Sequence, residues 1–134
     1  MKVFADTSYF IALLNGRDAA HEAAVAYSRE AFSEVIVTQF VIIELGDGFC
    51  KPPDRPDFLS LIEFICGNPS YTVISASSEL LKRGLELFAA RADKAWSLTD
   101  CTSFITMTDE RITDALSTDR HFLQAGFRAL LLPN

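Results

Sequence analysis

The chain is predicted to fold as a single α/β domain, a parallel β-sheet of about five strands with helices on both faces. Two observations carry this. Short apolar runs at Lys2–Ala5, Val35–Thr38, Tyr71–Ile74, Thr113–Thr118 and Ala129–Leu132 alternate with longer segments whose apolar residues recur at helical spacing. Strands that alternate with helices pair in parallel through right-handed crossovers. The 134 residues are also 49% hydrophobic and contain no Gly/Ser- or Pro-rich linker, which predicts one core and no second domain.

The elements follow in order. Lys2–Ala5 is a strand that stops at Asp6-Thr7-Ser8, after which Tyr9-Phe10-Ile11-Ala12-Leu13-Leu14 continues as a helix. Asp18 to Ala31, rich in alanine, is a second helix in which nothing asks for chemistry, with His21 on its surface. Val35-Ile36-Val37-Thr38 is β-branched throughout and forms the next strand, and Gln39 opens a helix that runs through Glu44 to Phe49. Three prolines in Lys51-Pro52-Pro53-Asp54-Arg55-Pro56 predict a loop, since each removes a backbone donor. Asp57 to Cys66 is then helical, with Phe58, Leu61, Ile62 and Ile65 on one side, and Gly67-Asn68-Pro69 ends it. Tyr71–Ile74 is a third strand, and Ser77-Ser78-Glu79 starts a helix that reaches Arg91. Past the loop Arg91 to Trp96, Ser97 or Thr99 caps a helix whose buried side is marked by Leu98, Cys101, Phe104, Ile105 and Met107. Thr113–Thr118 is a strand ending at Asp119, Arg120 to Gln124 is a short helix or turn, and Gly126 resets the backbone before a last strand at Ala129–Leu132.

Composition narrows the function. No apolar run approaches the roughly 20 residues of a membrane span, and Asp6 interrupts the N-terminal apolar run, against a signal peptide. A soluble, cytoplasmic protein with no membrane partner is expected. The three cysteines, Cys50, Cys66 and Cys101, are widely spaced without a C-x-x-C, so reduced thiols are expected rather than disulfides or a zinc site. The net charge of −6 opposes nucleic-acid binding, whose affinity normally comes from Lys and Arg at phosphates. Any nuclease reading must meet that objection.

Four acids stand where the chain leaves a strand or enters a helix. Asp6 and Asp119 each end a strand, Asp100 sits in the first turn of a helix, and Glu44 follows four apolar residues about one turn into its own. Each has a plain reading taken alone. Asp6 is then an N-cap, Asp100 complements a helix dipole for about 0.3–1 kcal/mol, and Glu44 is one wet position on an apolar face. A carboxylate among such neighbours costs several kcal/mol to bury without a partner. In a parallel sheet, however, all strand C-termini open on one edge, so the four converge on one pocket. Clustered like charges raise one another's pKa values and oppose folding unless a divalent cation neutralises them. Oxygen donors without His or Cys select Mg2+ or Mn2+ over zinc, and such an ion keeps open positions that suit phosphodiester hydrolysis. One or two divalent ions would also offset most of the excess negative charge.

At these residues the chain resembles a PIN-domain protein, specifically the ribonuclease toxin half of a VapBC-type toxin–antitoxin pair. The resemblance runs through Asp6-Thr7-Ser8, the Glu44 helix, Ser97-Leu98-Thr99-Asp100-Cys101 with Ser103-Phe104, and Thr118-Asp119-Arg120-His121-Phe122 followed by Gly126-Phe127. It spans almost the whole chain. It implies a metal-dependent endoribonuclease in which Asp6, Glu44, Asp100 and Asp119 are catalytic metal ligands for Mg2+ or Mn2+. Thr7 and Thr118 give hydrogen-bonding support, RNA is the substrate, and a cognate antitoxin holds the toxin inactive. Asp93 falls in the matching region and receives no metal role.

Two rivals differ in class. A phospho-acceptor, receiver-like signalling module has a similar pattern and an acidic pocket, but it should carry paired acids after the first strand and a Lys after the last. Here Asp6 stands single and Ala129 to Asn134 has no Lys. A thiol enzyme using Cys101 with His21 or His121 is the other. A buried Cys in an apolar helix is usually inert, and neither histidine has a placement that recommends it. Two expectations concern partners. The Asp57 to Cys66 helix carries Phe58, Leu59, Leu61, Ile62, Phe64 and Ile65, more apolar residues than one face can bury, which marks an interface where an antitoxin segment could lie. Lys51, Arg91, Lys94 and Arg120 fall near the acidic edge and are candidate RNA contacts on a homodimer whose two pockets share one groove.

Overall fold

The computed structural model describes residues 1–133. Its strands are Lys2–Ala5 (β1), Glu34–Thr38 (β2), Tyr71–Ile74 (β3), Asp114–Leu116 (β4) and Arg128–Ala129 (β5), paired in parallel in the order β3-β2-β1-β4-β5. The helices are Thr7–Leu14 (α1), His21–Ser28 (α2), Gln39–Gly48 (α3), Arg55–Gly67 (α4), Ser78–Ala90 (α5), Leu98–Asp109 (α6) and Arg120–Gln124 (α7). Val3 to Ala5 and Val35 to Thr38 are buried at successive positions. Neighbouring strand residues point to opposite faces, so the centre of the sheet is covered on both, as a parallel sheet requires. Among the described residues no helix is long and apolar enough to cross a membrane.

The strand order locates the crevice. The chain runs outward from β1 through β2 to β3, then returns to place β4 on the other side of β1, where Phe4 stands opposite Ala115. Open α/β sheets bind ligands at such a reversal, beyond the strand C-termini. Asp6 follows β1 and Asp119 lies just beyond β4, so both acids border that point. The same order separates this chain from the receiver-like fold, in which β1 lies between β2 and β3.

Helix α6 is the internal post of the domain. Asp100 to Phe104, Thr106 and Met107 are all buried. Its buried threonines tolerate this because they bond within the helix: Thr102 and Thr106 hydroxyls donate to the carbonyls of Thr99 and Thr102 at 2.7 and 2.9 Å. Phe104 meets Trp96 and Phe122 edge-on, each at a ring distance of 5.0 Å. Helix α5 lies so close that a Cβ added at Gly84 would sit 2.6 Å from Thr102 Cγ2.

Several boundaries differ from expectation. Helix α2 is shorter at both ends than Asp18 to Ala31. The proline-rich segment is not a plain loop: Pro52–Asp54 forms a 3-10 turn and Pro56 falls in the first turn of α4, where a missing N–H has no helical partner to lose. Strand β4 is shorter than Thr113–Thr118 and β5 is only Arg128–Ala129, although the next two N–H groups, Leu130 and Leu131, still donate to Ala115 O at 2.9 Å and Ser117 O at 3.1 Å. Leu132 N–H instead closes a turn onto Ala129 O at 3.2 Å. Leu131 is buried beyond the assigned strand, so the apolar run outlasts the strand it marks.

Candidate metal centre

Asp6 ends β1 at the N-cap position of α1, yet its side chain does not cap the helix. Instead Oδ2 accepts the hydroxyls of Ser8 at 2.7 Å and Ser117 at 2.8 Å. Those hydroxyls also receive backbone N–H groups from the end of β4: Thr118 donates to Ser8 Oγ at 3.0 Å and Asp119 to Ser117 Oγ at 2.9 Å. The two strand ends are thus tied through Asp6. Burial pushes the Asp6 carboxyl up from an ordinary 3.8 to about 6; the serine hydroxyls pull the other way, and the charge of Asp100 adds to the rise.

Asp100 is the third residue of α6 and closes a capping box with Ser97. Asp100 N–H donates to Ser97 Oγ at 2.9 Å, and Oδ2 accepts Ser97 N–H at 3.1 Å. Of the two capping residues the sequence allows, Ser97 is therefore the one used. Burial raises the Asp100 carboxyl above the usual range, opposed by bonds from His121 and Ser97. Asp119 caps α7 by accepting His121 N–H at 2.8 Å. The imidazole of His121 then comes between the two acids, with Nδ1 2.9 Å from Asp100 Oδ2 and 3.4 Å from Asp119 Oδ1.

Glu44 lies at the mouth of the same site, since Thr7 Oγ1 donates to its Oε1 at 2.7 Å. It is not buried. Val41 and Leu45 face inward while Glu44 is exposed, so the expected desolvation cost does not arise and only its location stands. Thr7 acts as hydrogen-bonding support, but Thr118 contributes its backbone N–H; the hydroxyls bonded to an acid here are those of Thr7, Ser8 and Ser117.

The donor set fits a cation. One oxygen each from Asp100 and Asp119 and one nitrogen from His121 lie within 4.8 Å of one another. Among the described residues no Lys or Arg pairs with Asp6, Glu44, Asp100 or Asp119; of the three buried acids, Asp114 has Arg128 at 3.4 Å while Asp6 and Asp100 have neither Lys nor Arg. Asp6 and Glu44 stand outside the three-member group, joined to it by the serine and threonine hydroxyls and by their shared edge. Of the candidate RNA contacts, Lys51 and Arg120 are exposed and Lys94 is half-buried. Arg91 is committed already: it bonds Asp93 at 3.0 and 3.1 Å and lies 5.0 Å over the Trp96 ring.

Sequence reasoning missed His121, Ser8 and Ser117. The signal for His121 was present. When an Asp that ends a strand caps a short helix, it bonds the N–H two residues on, so Asp119-x-His121 brings the imidazole beside the carboxylate. His21 has no such role; its Nδ1 is 2.7 Å from Ala12 O.

A sheet switch point lined with carboxylates on this strand order defines a class, and the family comparison agrees with it. The chain belongs to the PIN domain family, whose model matches residues 3–128. Among solved structures, it is similar to the Mycobacterium tuberculosis toxin VapC20, described as cleaving the sarcin–ricin loop, with a TM-score of 0.84 and 23% identity over 93% of this chain and 95% of that one. It is similar to FitAcB from Neisseria gonorrhoeae with a TM-score of 0.68 and 14% identity, covering 95% and 94%. VapBC2 from Rickettsia felis, bound to promoter DNA, matches with a TM-score of 0.66 and 12% identity, covering 96% and 97%. At these identities the likeness is one of fold. No curated protein sequence matches the chain.

Proposed function

We propose that this protein is a Mg2+- or Mn2+-dependent endoribonuclease, the toxin of a VapBC-type pair, using Asp6, Glu44, Asp100 and Asp119. The observation that carries the reading is a switch-point crevice whose two buried acids, Asp6 and Asp100, have no Lys or Arg counter-ion among the described residues, whereas the other buried acid, Asp114, has Arg128. A bound divalent ion supplies activation of water and stabilisation of charge on the phosphate. The chain's own residues prepare for it. Ser8 and Ser117 fix Asp6, the capping box fixes Asp100, and the cap of α7 fixes Asp119. Thr7 orients Glu44 at the entrance. Lys51, Lys94 and Arg120 at the rim supply phosphate contacts that the net charge of −6 does not.

Two partners complete the reading. A cognate antitoxin lies over α4, where Leu61 and Ile65 are buried but Leu59 and Phe64 are 59% and 55% exposed. The protein acts as a homodimer that brings two acidic pockets to one groove. Purified protein incubated with structured RNA should cleave it with Mg2+ or Mn2+ and not with chelator, and Asp6→Asn and Asp100→Asn should both be inactive. Equal cleavage by wild type and Asp6→Asn would overturn the assignment. A Phe64→Ser variant that binds the cognate antitoxin unchanged would remove the α4 surface, and a monomer by light scattering at micromolar concentration would remove the dimer.

A further inference from the structure

The four acids leave one member of the cluster unexplained, His121. Its Nδ1 lies 2.9 Å from Asp100 Oδ2 and 3.4 Å from Asp119 Oδ1. A six-coordinate ion such as Mg2+ or Mn2+ holds its donors at about 2.1 Å, so donors on adjacent corners are about 3 Å apart. The imidazole nitrogen therefore already stands at about neighbouring-corner spacing from one oxygen of each carboxylate, and donor atoms of the three residues lie within 4.8 Å of one another. The ring is also placed from behind. Its backbone N–H is bonded to Asp119 at 2.8 Å, and the next residue, Phe122, is fully buried against Phe4 and Phe104. His121 enters the cluster on a fixed backbone rather than swinging in from solvent.

We propose that His121 Nδ1 is a nitrogen ligand of the ion held by Asp100 and Asp119, and that it biases the site toward Mn2+ over Mg2+. This rests on the metal-dependent reading above. Mg2+ is a small hard ion that prefers oxygen and dehydrates reluctantly, whereas first-row transition ions accept imidazole. One nitrogen corner thus raises Mn2+ affinity selectively, while a shell of carboxylates alone treats the two ions more alike. To serve, the ring carries its hydrogen on Nε2 and gives up the Nδ1 hydrogen bond to Asp100.

Pulsed electron paramagnetic resonance on the full chain loaded with Mn2+ tests this without any variant. Directly bound 14N modulates the echo, and the pattern should change to that of 15N when histidine alone is labelled. The chain has two histidines, so His21→Ala should keep the modulation and His121→Asn should lose it. Calorimetry should show His121→Asn weakening Mn2+ on the order of tenfold or more and Mg2+ by less than about threefold. Mn2+ bound to wild type with no histidine nitrogen overturns the ligand and leaves the metal centre standing. Tighter binding of both ions by His121→Asn also overturns it, making the imidazole a built-in counter-ion that competes with the metal. Binding of neither ion by wild type removes the ligand and the metal-dependent reading together.

Discussion

Asp6→Asn should make the metal-free protein more stable while removing its activity. The carboxyl is only 5% exposed, and burial lifts it from 3.8 to about 6. At 1.36 kcal/mol per pH unit, holding it ionised in the fold opposes folding by about 3 kcal/mol. The sign follows from linkage. The folded value lies above the unfolded one, so between roughly pH 4 and 6 the folded chain binds the extra proton, and stability falls as pH rises through that window and stays depressed above it. An asparagine has no charge to bury, and the Ser8 and Ser117 hydroxyls can turn to accept from its amide. Urea denaturation with chelator at pH 7 should therefore find Asp6→Asn more stable by up to about 3 kcal/mol, with a melting temperature higher by about 10 °C. At pH 4 the gap should close to under about 1 kcal/mol. Saturating Mn2+ should stabilise wild type more than the variant. A variant that is less stable at pH 7, or a gap of the same size at pH 4 and pH 7, would refute the claim that desolvation of this carboxylate is what the fold tolerates for the sake of the site.

Other expectations are simpler. Gly84→Ala places a methyl 2.6 Å from Thr102 Cγ2, a side chain held by its bond to Thr99 O, and should lower stability by about 1–3 kcal/mol in chemical denaturation with metal affinity unchanged. Ser97→Ala opens the capping box and should cost about 1 kcal/mol; an unchanged urea midpoint would show that α6 does not depend on its cap. Replacing Lys94 and Arg120 by Ala should weaken RNA binding and lower the slope of log affinity against log salt by up to about 1.5, without altering Mn2+ binding. Cys50 and Cys66 are exposed, while Cys101 is buried with its thiol pushed up by desolvation. A thiol reagent should therefore modify the first two quickly in native protein and Cys101 only after unfolding.

The fold was legible because its signals are local. Alternation of apolar strands with helical spacing does not depend on where the chain goes next, and Val35–Thr38 or Tyr71–Ile74 could be placed almost to the residue. Strand ends set by pairing were not legible: Ala129–Leu132 is apolar throughout, yet the N–H bonds toward β4 and the residue after it stop at Leu131, and Leu132 turns back onto Ala129. The edge that gathers the acids followed from parallel topology, and Asp6, Asp100 and Asp119 stand there. The burial of Glu44 did not follow, because four apolar residues before it say nothing about which side of α3 meets solvent. His121 was passed over for a related reason. Looked at as a possible thiol partner for Cys101, it had no merit; as the residue whose N–H caps onto Asp119, its place was fixed.

The bond between Ser117 and Asp6 joins residues 111 positions apart in the sequence. The central strand β1 is made first and the strand that completes its crevice comes almost last, after every helix from α1 to α6. A chain still being synthesised can pair β1 with β2 and β2 with β3 and bury much of its core while its first acid has only Ser8 beside it. Until β4 inserts, Asp6 lacks the second of its two hydroxyl donors, Ser117, and Asp119 and His121 have not been added. On the proposed reading as a toxin nuclease, this order of appearance keeps the site unfinished until translation is nearly over, a delay that arises from topology before any antitoxin has bound.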